Sequence, residues 1–295
     1  MLTASDANLS PSLVEEARHS CNTTFERLMN GVSEIGIDPT EQAYRFAEIA
    51  ARHRLRWDIR PSGPSPWTHV VDEGVSAVLP IIERLHALPP HPDDGCLAGL
   101  TSATRHLLPV HPVIDQRGAI MSLPGAKAQR FHADAPDTHF RLAKLNPRHR
   151  LFNVFIPLVD IKREDDGTQF WPRSHLESTR YGQYMDAVQR SGHLEDDNRA
   201  MAAMVAPECP AGGIILFDYR LLHRGLANTG RLRQIAYGVV STGFAWDKAN
   251  FPPTSLWSIR DALPEHPEEL MIAREAYAKE SPYWREMMER ETDPT

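Results

Sequence analysis

Leu151-Phe152-Asn153-Val154-Phe155-Ile156-Pro157-Leu158 is apolar on both faces that an extended chain presents. A strand with no polar side belongs in the middle of a sheet, covered above and below. Pro157 cannot donate to a ladder, so it marks a strand end or a bulge. Working outward from this stretch, Gly118–Leu123, Leu151–Ile161, Gly213–Phe217 and Gln234–Ser241 are all short, rich in β-branched and aromatic residues, and mostly bounded by Gly or Pro. They read as strands. Strands that succeed one another without helices between them point to an antiparallel sandwich or jelly roll rather than a βαβ array.

The flanks read as helix. Ser12-x-x-Glu15 has the form of a capping box, followed at helical spacing by Leu13, Ala17, Cys21, Phe25 and Leu28. Asp38-Pro39-x-Glu41 is a second start signal, with Ala43, Phe46, Ile49 and Ala50 as the apolar face of the helix it predicts. Arg60–Pro66 is rich in turn residues. Val75, Val78, Leu79, Ile82 and Leu85 predict a third helix, kinked at Pro80 or beginning near it. Ser178–Arg190 reads as a helix or insertion, Ser191–Arg199 as an exposed, mobile loop, and Pro267–Glu291 as a helical tail with Leu270, Ala273 and Tyr277 on one side. The expectation is a mainly β protein with flanking helices, one domain over residues 1–295: a helical part at 1–100, a β core at 101–245 and a helical tail at 246–295.

Composition excludes several classes of function. The chain has 295 residues and a formal net charge of −7, without a Lys/Arg run, so nucleic acid is not the expected partner. No apolar run approaches the roughly 18 residues that span a bilayer. The first residues lack the charged and apolar regions of a secretory leader, and the last are not a Ser-Lys-Leu address. Cys21, Cys96 and Cys209 are too dispersed for a disulfide framework or a zinc site. Inert thiols in a reducing cytoplasm are the expectation. No phosphate-binding glycine loop occurs.

The chemistry-bearing stretches are Gln129-Arg130-Phe131-His132-Ala133-Asp134 and His223-Arg224-Gly225-Leu226-Ala227-Asn228-Thr229-Gly230-Arg231-Leu232-Arg233. In a strand, residues two apart face the same way, so His132 and Asp134 can reach one point. With His223 they make two imidazoles and one carboxylate, the facial set that holds non-haem Fe(II) and leaves positions open. Such an ion accepts an anionic chelate, for instance an α-keto acid, with O2 in the last position. The far carboxylate of that acid calls for an arginine fork. Arg233 suits this if a turn at Asn228-Thr229-Gly230 joins its strand to that of His223, and Arg231, with the same parity, is its rival. The bland alternative for these residues is a solvated turn, a core histidine and surface charges.

Ala128–Asp134, Asp166–His175 and His223–Arg233, in that order, resemble the phytanoyl-CoA dioxygenase family across roughly residues 115–245. The resemblance implies a double-stranded β-helix core, a cupin-like jelly roll. It implies an Fe(II)/2-oxoglutarate-dependent dioxygenase that oxidises a C–H bond with O2 and releases succinate and CO2. It assigns His132, Asp134 and His223 to iron, and Arg233, Thr168 and Gln129 to 2-oxoglutarate. Trp171, Arg173, His139 and Tyr219 are candidates for the substrate pocket. His175 is expected to be structural. Where the family commonly has Pro-Gly-Ser-His, this chain has Pro172-Arg173-Ser174-His175, so the loop is either reshaped or Arg173 reaches an acidic group. Related halogenases lack the carboxylate, so Asp134 argues for hydroxylation or a kindred oxidation. No basic cluster marks a coenzyme A groove, which favours a small or medium organic metabolite; a homodimer is expected by analogy alone. Two rival functions use the same residues: a cupin-like metal oxygenase or isomerase that takes no keto acid, and a non-catalytic ligand-binding protein.

Overall fold

A computed structural model of the chain describes residues 2–4, 9–87, 112–134, 150–162, 167–176, 187, 192–242, 258–259, 267–281 and 284–285. His139, Asp166, Cys96, Trp246 and most of 178–190 lie outside them. Among the described residues, seven antiparallel strands form one sheet in the order β1-β7-β5-β9-β4-β3-β2. These are β1 (Leu2–Ala4), β2 (Ile49–His53), β3 (Arg56–Ile59), β4 (Val113–Ser122), β5 (Arg150–Pro157), β7 (Ile214–Asp218) and β9 (Arg233–Thr242). A second sheet pairs β6 (Thr168–Phe170) with β8 (His223–Gly225). This is the expected double-stranded β-helix, with a broad sheet facing a small one. β5 lies third in the main sheet, covered on both faces, and ends at Pro157 as its sequence implies.

The two faces of the main sheet divide the labour. Phe152, Val154, Ile156, Ile214, Leu216, Ala236 and Val240 point outward into a large apolar core with helices α1 (Pro11–Glu34) and α2 (Pro66–Ala87). Gly238 on β9 permits that contact: a Cβ there would meet Val75 at 2.9 Å and Val71 at 3.0 Å, both on α2. Leu151, Phe155, Ile215, Phe217, Ile235, Tyr237 and Val239 point inward as a second cluster. No helix of the described residues is long and apolar enough to cross a membrane.

Several expectations are corrected. Helix α1 starts at Pro11 after Ser10, so Ser12 lies inside its first turn, and it buries Val14 and Val32 beside the predicted Ala17, Cys21, Phe25 and Leu28. The helix expected after Asp38 is absent. The Asp38 carboxylate does accept from the Thr40 and Glu41 amides, at 2.8 and 3.1 Å, but it closes only a turn. The chain then becomes the hairpin β2–β3, because Ile49–Ile59 gains a ladder on the edge of β4 that a short helix would forgo. Helix α2 begins at Pro66, where Ser65 and Thr68 bond reciprocally, and runs through Pro80. The described stretch 192–199 is exposed at Gly192, His193, Asp196, Asn198 and Arg199 as expected, but it is ordered by local structure: the Asp197 side chain caps a short helix α3 (Asn198–Met201), and Leu194, Asp197 and Ala200 are buried. The tail forms α4 (Pro267–Glu280), which docks on β2 through Tyr277, while Ala273 is exposed.

The turn between β8 and β9 is pinned by buried Asn228. Its Nδ2 donates to Ser122 O (2.7 Å) and Arg231 O (2.8 Å), and its Oδ1 accepts from the Gly230 amide (3.1 Å). Asn228→Ala would strand these backbone groups inside the protein. We expect a loss of about 2–3 kcal/mol in urea denaturation.

Candidate functional site

Two rows of residues cross three extended segments. In the first, His132 and His223 exchange both backbone hydrogen bonds, at 2.9 and 2.8 Å, and His223 lies opposite Phe170. In the second, two residues along β8, the Gln129 amide donates to Gly225 O at 2.9 Å and Thr168 lies opposite Gly225. Directly paired residues on antiparallel strands present their side chains to the same face. The two imidazoles therefore stand together, ring centroids 4.6 Å apart.

Asp134 completes the cluster. Its carboxylate lies 3.9 Å from His132 Nε2 and 3.6 Å from His223 Nε2, and one donor atom from each of the three residues falls within 4.8 Å of the others. Each imidazole is oriented from behind. His132 Nδ1 lies 2.9 Å from Arg130 O, and His223 Nδ1 lies 2.9 Å from Leu221 O. A carbonyl only accepts, so each Nδ1 carries its proton and each bare Nε2 turns to the carboxylate. Burial, then the neighbouring His223, pushes the His132 imidazole down to about 4 against the pull of Asp134. It is neutral at pH 7, the form that can ligate a metal. Asn153, from the middle of the apolar β5, donates its Nδ2 to Asp134 at 2.7 Å and fixes the carboxylate. The donor set, two imidazole nitrogens and one carboxylate oxygen, fits a first-row divalent ion with open positions.

The His223 side of the cluster is packed and stiff. Phe217 meets the His223 ring edge-on at 5.0 Å, and Phe170 stacks at 6.0 Å. The Leu222 backbone, next to His223, is held on both sides: its amide donates to Ser174 Oγ (2.7 Å) and its carbonyl accepts from the Trp171 amide (2.9 Å). The turn before it is locked by Arg220, whose Nε and Nη2 both reach Asp218 at 2.9 Å. Burial opposes the Asp218 charge, yet the Arg220 fork keeps this carboxyl well below the usual carboxylate range.

The remaining expected residues separate clearly. Arg233 is buried and donates to Leu226 O at 3.3 Å, whereas its rival Arg231 is exposed and reaches Asp160 O. Thr168 is buried in the second row. The Gln129 side-chain oxygen accepts from the Gly225 amide at 3.0 Å. Trp171 packs with Leu194, Ala200 and Leu222, and Tyr219 lies in the inward-facing cluster. Arg173 is exposed, with its backbone at φ +68°, so the loop keeps a glycine-like shape with an arginine in it. Two side chains were not singled out from sequence: Asn153, and Arg56, a buried arginine on β3 that also donates to Leu226 O, at 2.8 Å. For Asn153 the signal is a polar residue inside an apolar run; Arg56, set among Arg52, His53, Arg54 and Asp58, carries no such signal.

A left-handed residue with a Cβ costs about 1–2 kcal/mol. Arg173→Gly should therefore stabilise the protein by about 1 kcal/mol in urea denaturation, and Arg173→Ala should not. Asn153→Ala frees the Asp134 carboxylate to rotate. We expect its divalent-metal affinity to fall about 10–100-fold in calorimetric titration, with the fold retained by circular dichroism.

A sequence model of the phytanoyl-CoA dioxygenase (PhyH) family matches residues 65–234. The dioxygenase himG of Aspergillus japonicus is 32% identical over 75 residues, and the match spans 23% of this chain and 23% of that protein. Among solved structures, AviO1 from Streptomyces viridochromogenes Tue57 superposes with a TM-score of 0.46 at 13% identity, covering 82% of this chain and 89% of that one. HygX from Streptomyces hygroscopicus, crystallised with nickel, 2-oxoglutarate and hygromycin B, superposes with a TM-score of 0.45 at 12% identity, covering 85% and 90%. The family match takes in both histidines, Asp134 and Arg233, over more than half of the chain, and the chain belongs to the phytanoyl-CoA dioxygenase (PhyH) family.

Proposed function

We propose that this protein is an Fe(II)/2-oxoglutarate-dependent dioxygenase that hydroxylates or otherwise oxidises an unactivated C–H bond of a small or medium organic metabolite, releasing succinate and CO2. The observation that carries the reading is the convergence of His132, Asp134 and His223 donor atoms within 4.8 Å, each imidazole held by a backbone carbonyl so that its Nε2 faces inward. These three residues hold the iron. When bound, iron and 2-oxoglutarate together supply the activation of O2, and the protein supplies geometry and charge.

The chain's own residues do the rest. One carboxylate against a divalent cation leaves a net positive centre, which favours an anionic keto acid. Arg233 holds the far carboxylate of 2-oxoglutarate, with Thr168 and Gln129 contributed by the second row. Phe170 and Phe217 keep water from the His223 side. Trp171 packs behind Leu222 and supports the backbone next to His223. We read residues 1–295 as one domain acting in the cytoplasm on a small molecule rather than on nucleic acid or a membrane, and we read the terminal helices as the surface of a homodimer.

Anaerobic titration of the purified protein with Fe(II) and then 2-oxoglutarate tests this. Chelation should produce the weak visible charge-transfer absorption of an Fe(II)–keto-acid complex. His223→Ala should abolish it, and Arg233→Ala should raise the 2-oxoglutarate concentration needed by at least about tenfold, the loss of one charge-assisted contact. Metal binding with no such absorption at any keto-acid concentration would move the protein to the cupin-like class that uses no keto acid.

A further inference from the structure

Arg56 has no place in the reading from sequence, yet its position is built with care. It opens β3 next to a tight turn in which Leu55 adopts φ +59°. Across the sheet, Arg56 pairs with Ser122, and Ser122 pairs with Arg233. The three side chains thus stand in one row on one face, the arginines two strands apart with their Cα atoms about 10 Å from each other. Ser122 between them is small, and it is fully buried. Both guanidiniums lean over it to one acceptor: Arg56 Nη2 reaches Leu226 O at 2.8 Å and Arg233 Nη2 reaches it at 3.3 Å. Each arginine is 2% exposed.

A second observation locates the Arg56 guanidinium relative to the metal-binding cluster. A Cβ on Gly225 would come within 2.0 Å of Arg56 Nη1, 2.8 Å of its Cζ and 2.8 Å of Gln129 Oε1. The guanidinium therefore lies against β8 at Gly225, two residues from His223, and beside the row of Thr168 and Gln129. One row offers metal donors. The next row, about 6.5 Å along the strands, offers two arginine forks. That spacing suits a short dicarboxylate bound by its keto-acid end at the first row and by its far carboxylate at the second. A carboxylate between the two guanidiniums can give one oxygen to each fork.

We propose that Arg56 is a second binding residue for the far carboxylate of 2-oxoglutarate, sharing it with Arg233, and that the pair makes the site selective for dicarboxylic 2-oxo acids over monocarboxylic ones. This inference rests on the co-substrate reading above. Its rival is a purely structural Arg56 that ties β3 to the carbonyls of Leu226 and Lys127.

The test is anaerobic titration of the Fe(II)-loaded protein with 2-oxoglutarate and, separately, with 2-oxovalerate, which has a methyl group in place of the far carboxylate. Absorption of the chelate is the readout. Arg56→Met should weaken 2-oxoglutarate binding about 10–100-fold, the loss of one charge-assisted contact, and change 2-oxovalerate binding less than about threefold. Arg56→Met and Arg233→Met combined should lose less than the product of the single losses, because both act on one carboxylate. Should Arg56→Met fail to fold, Arg56→Lys carries the test, with a smaller loss confined to 2-oxoglutarate. Equal weakening of both acids, or no change for either, overturns the assignment and leaves Arg56 structural. If the wild-type protein chelates neither acid, the co-substrate reading itself falls, and the Arg56 assignment with it.

Discussion

Everything at the site depends on one reciprocal pair of backbone hydrogen bonds, between His132 and His223. These residues are distant in sequence, and the ladder makes them neighbours. Because each gives and takes one bond, their Cβ atoms must point the same way, and the imidazoles follow. A slip of one residue in this register would send one ring to the opposite face. Much of the surrounding structure guards that register. Ser174 and Trp171 grip Leu222, Arg220 and Asp218 stiffen the turn before it, and Asn228 closes the turn after β8.

The main sheet separates cohesion from chemistry. Its outer face is aliphatic and aromatic and carries the helices, so hydrophobic burial there can hold the sheet without involving the site. The inner face can then accommodate charge. Besides Arg56 and Arg233 it holds Asp58, which pairs with Arg52 at 2.7 Å and accepts from the Tyr237 hydroxyl at 2.7 Å. Burial, and then the Asp58 charge, pushes the Tyr237 hydroxyl well above its ordinary range, so it remains a donor. A hydrogen-bonded network of this kind is stiff, and stiffness is what a two-row binding site needs.

The cluster of His132, Asp134 and His223 was the most legible part of the sequence. Ligation fixes residue type, and strand geometry fixes spacing, so His132-x-Asp134 and a later His223 stand out without a structure. The strands of the core were legible for a similar reason, since Leu151–Leu158 can be little else. Arg56 was not legible. Its significance lies in which residue faces it across two ladders, and register is a property of pairing rather than of any local pattern. The missing helix after Asp38 failed differently: the start signal was genuine, but the bonds it promised close a turn, and tertiary pairing claimed the residues that followed. Arg173 was recognised as a departure from Pro-Gly-Ser-His, while its outcome, a retained loop shape under strain, required the backbone angle.

The docking of the C-terminal tail has a consequence for how the molecule behaves among its own copies. Strand β2 is the last in the main sheet, and a free strand edge is a template on which another chain can add. At the centre of β2, the Ala51 amide donates to Tyr44 O, and its carbonyl accepts from both the Tyr277 hydroxyl and the Trp284 indole, each at 2.8 Å. The outward-facing groups of that residue are thus occupied from within the chain. The tail acts as a stopper on the sheet: proteolysis or fraying of α4 would expose a growing edge, and self-association would follow by strand addition rather than by loss of the core.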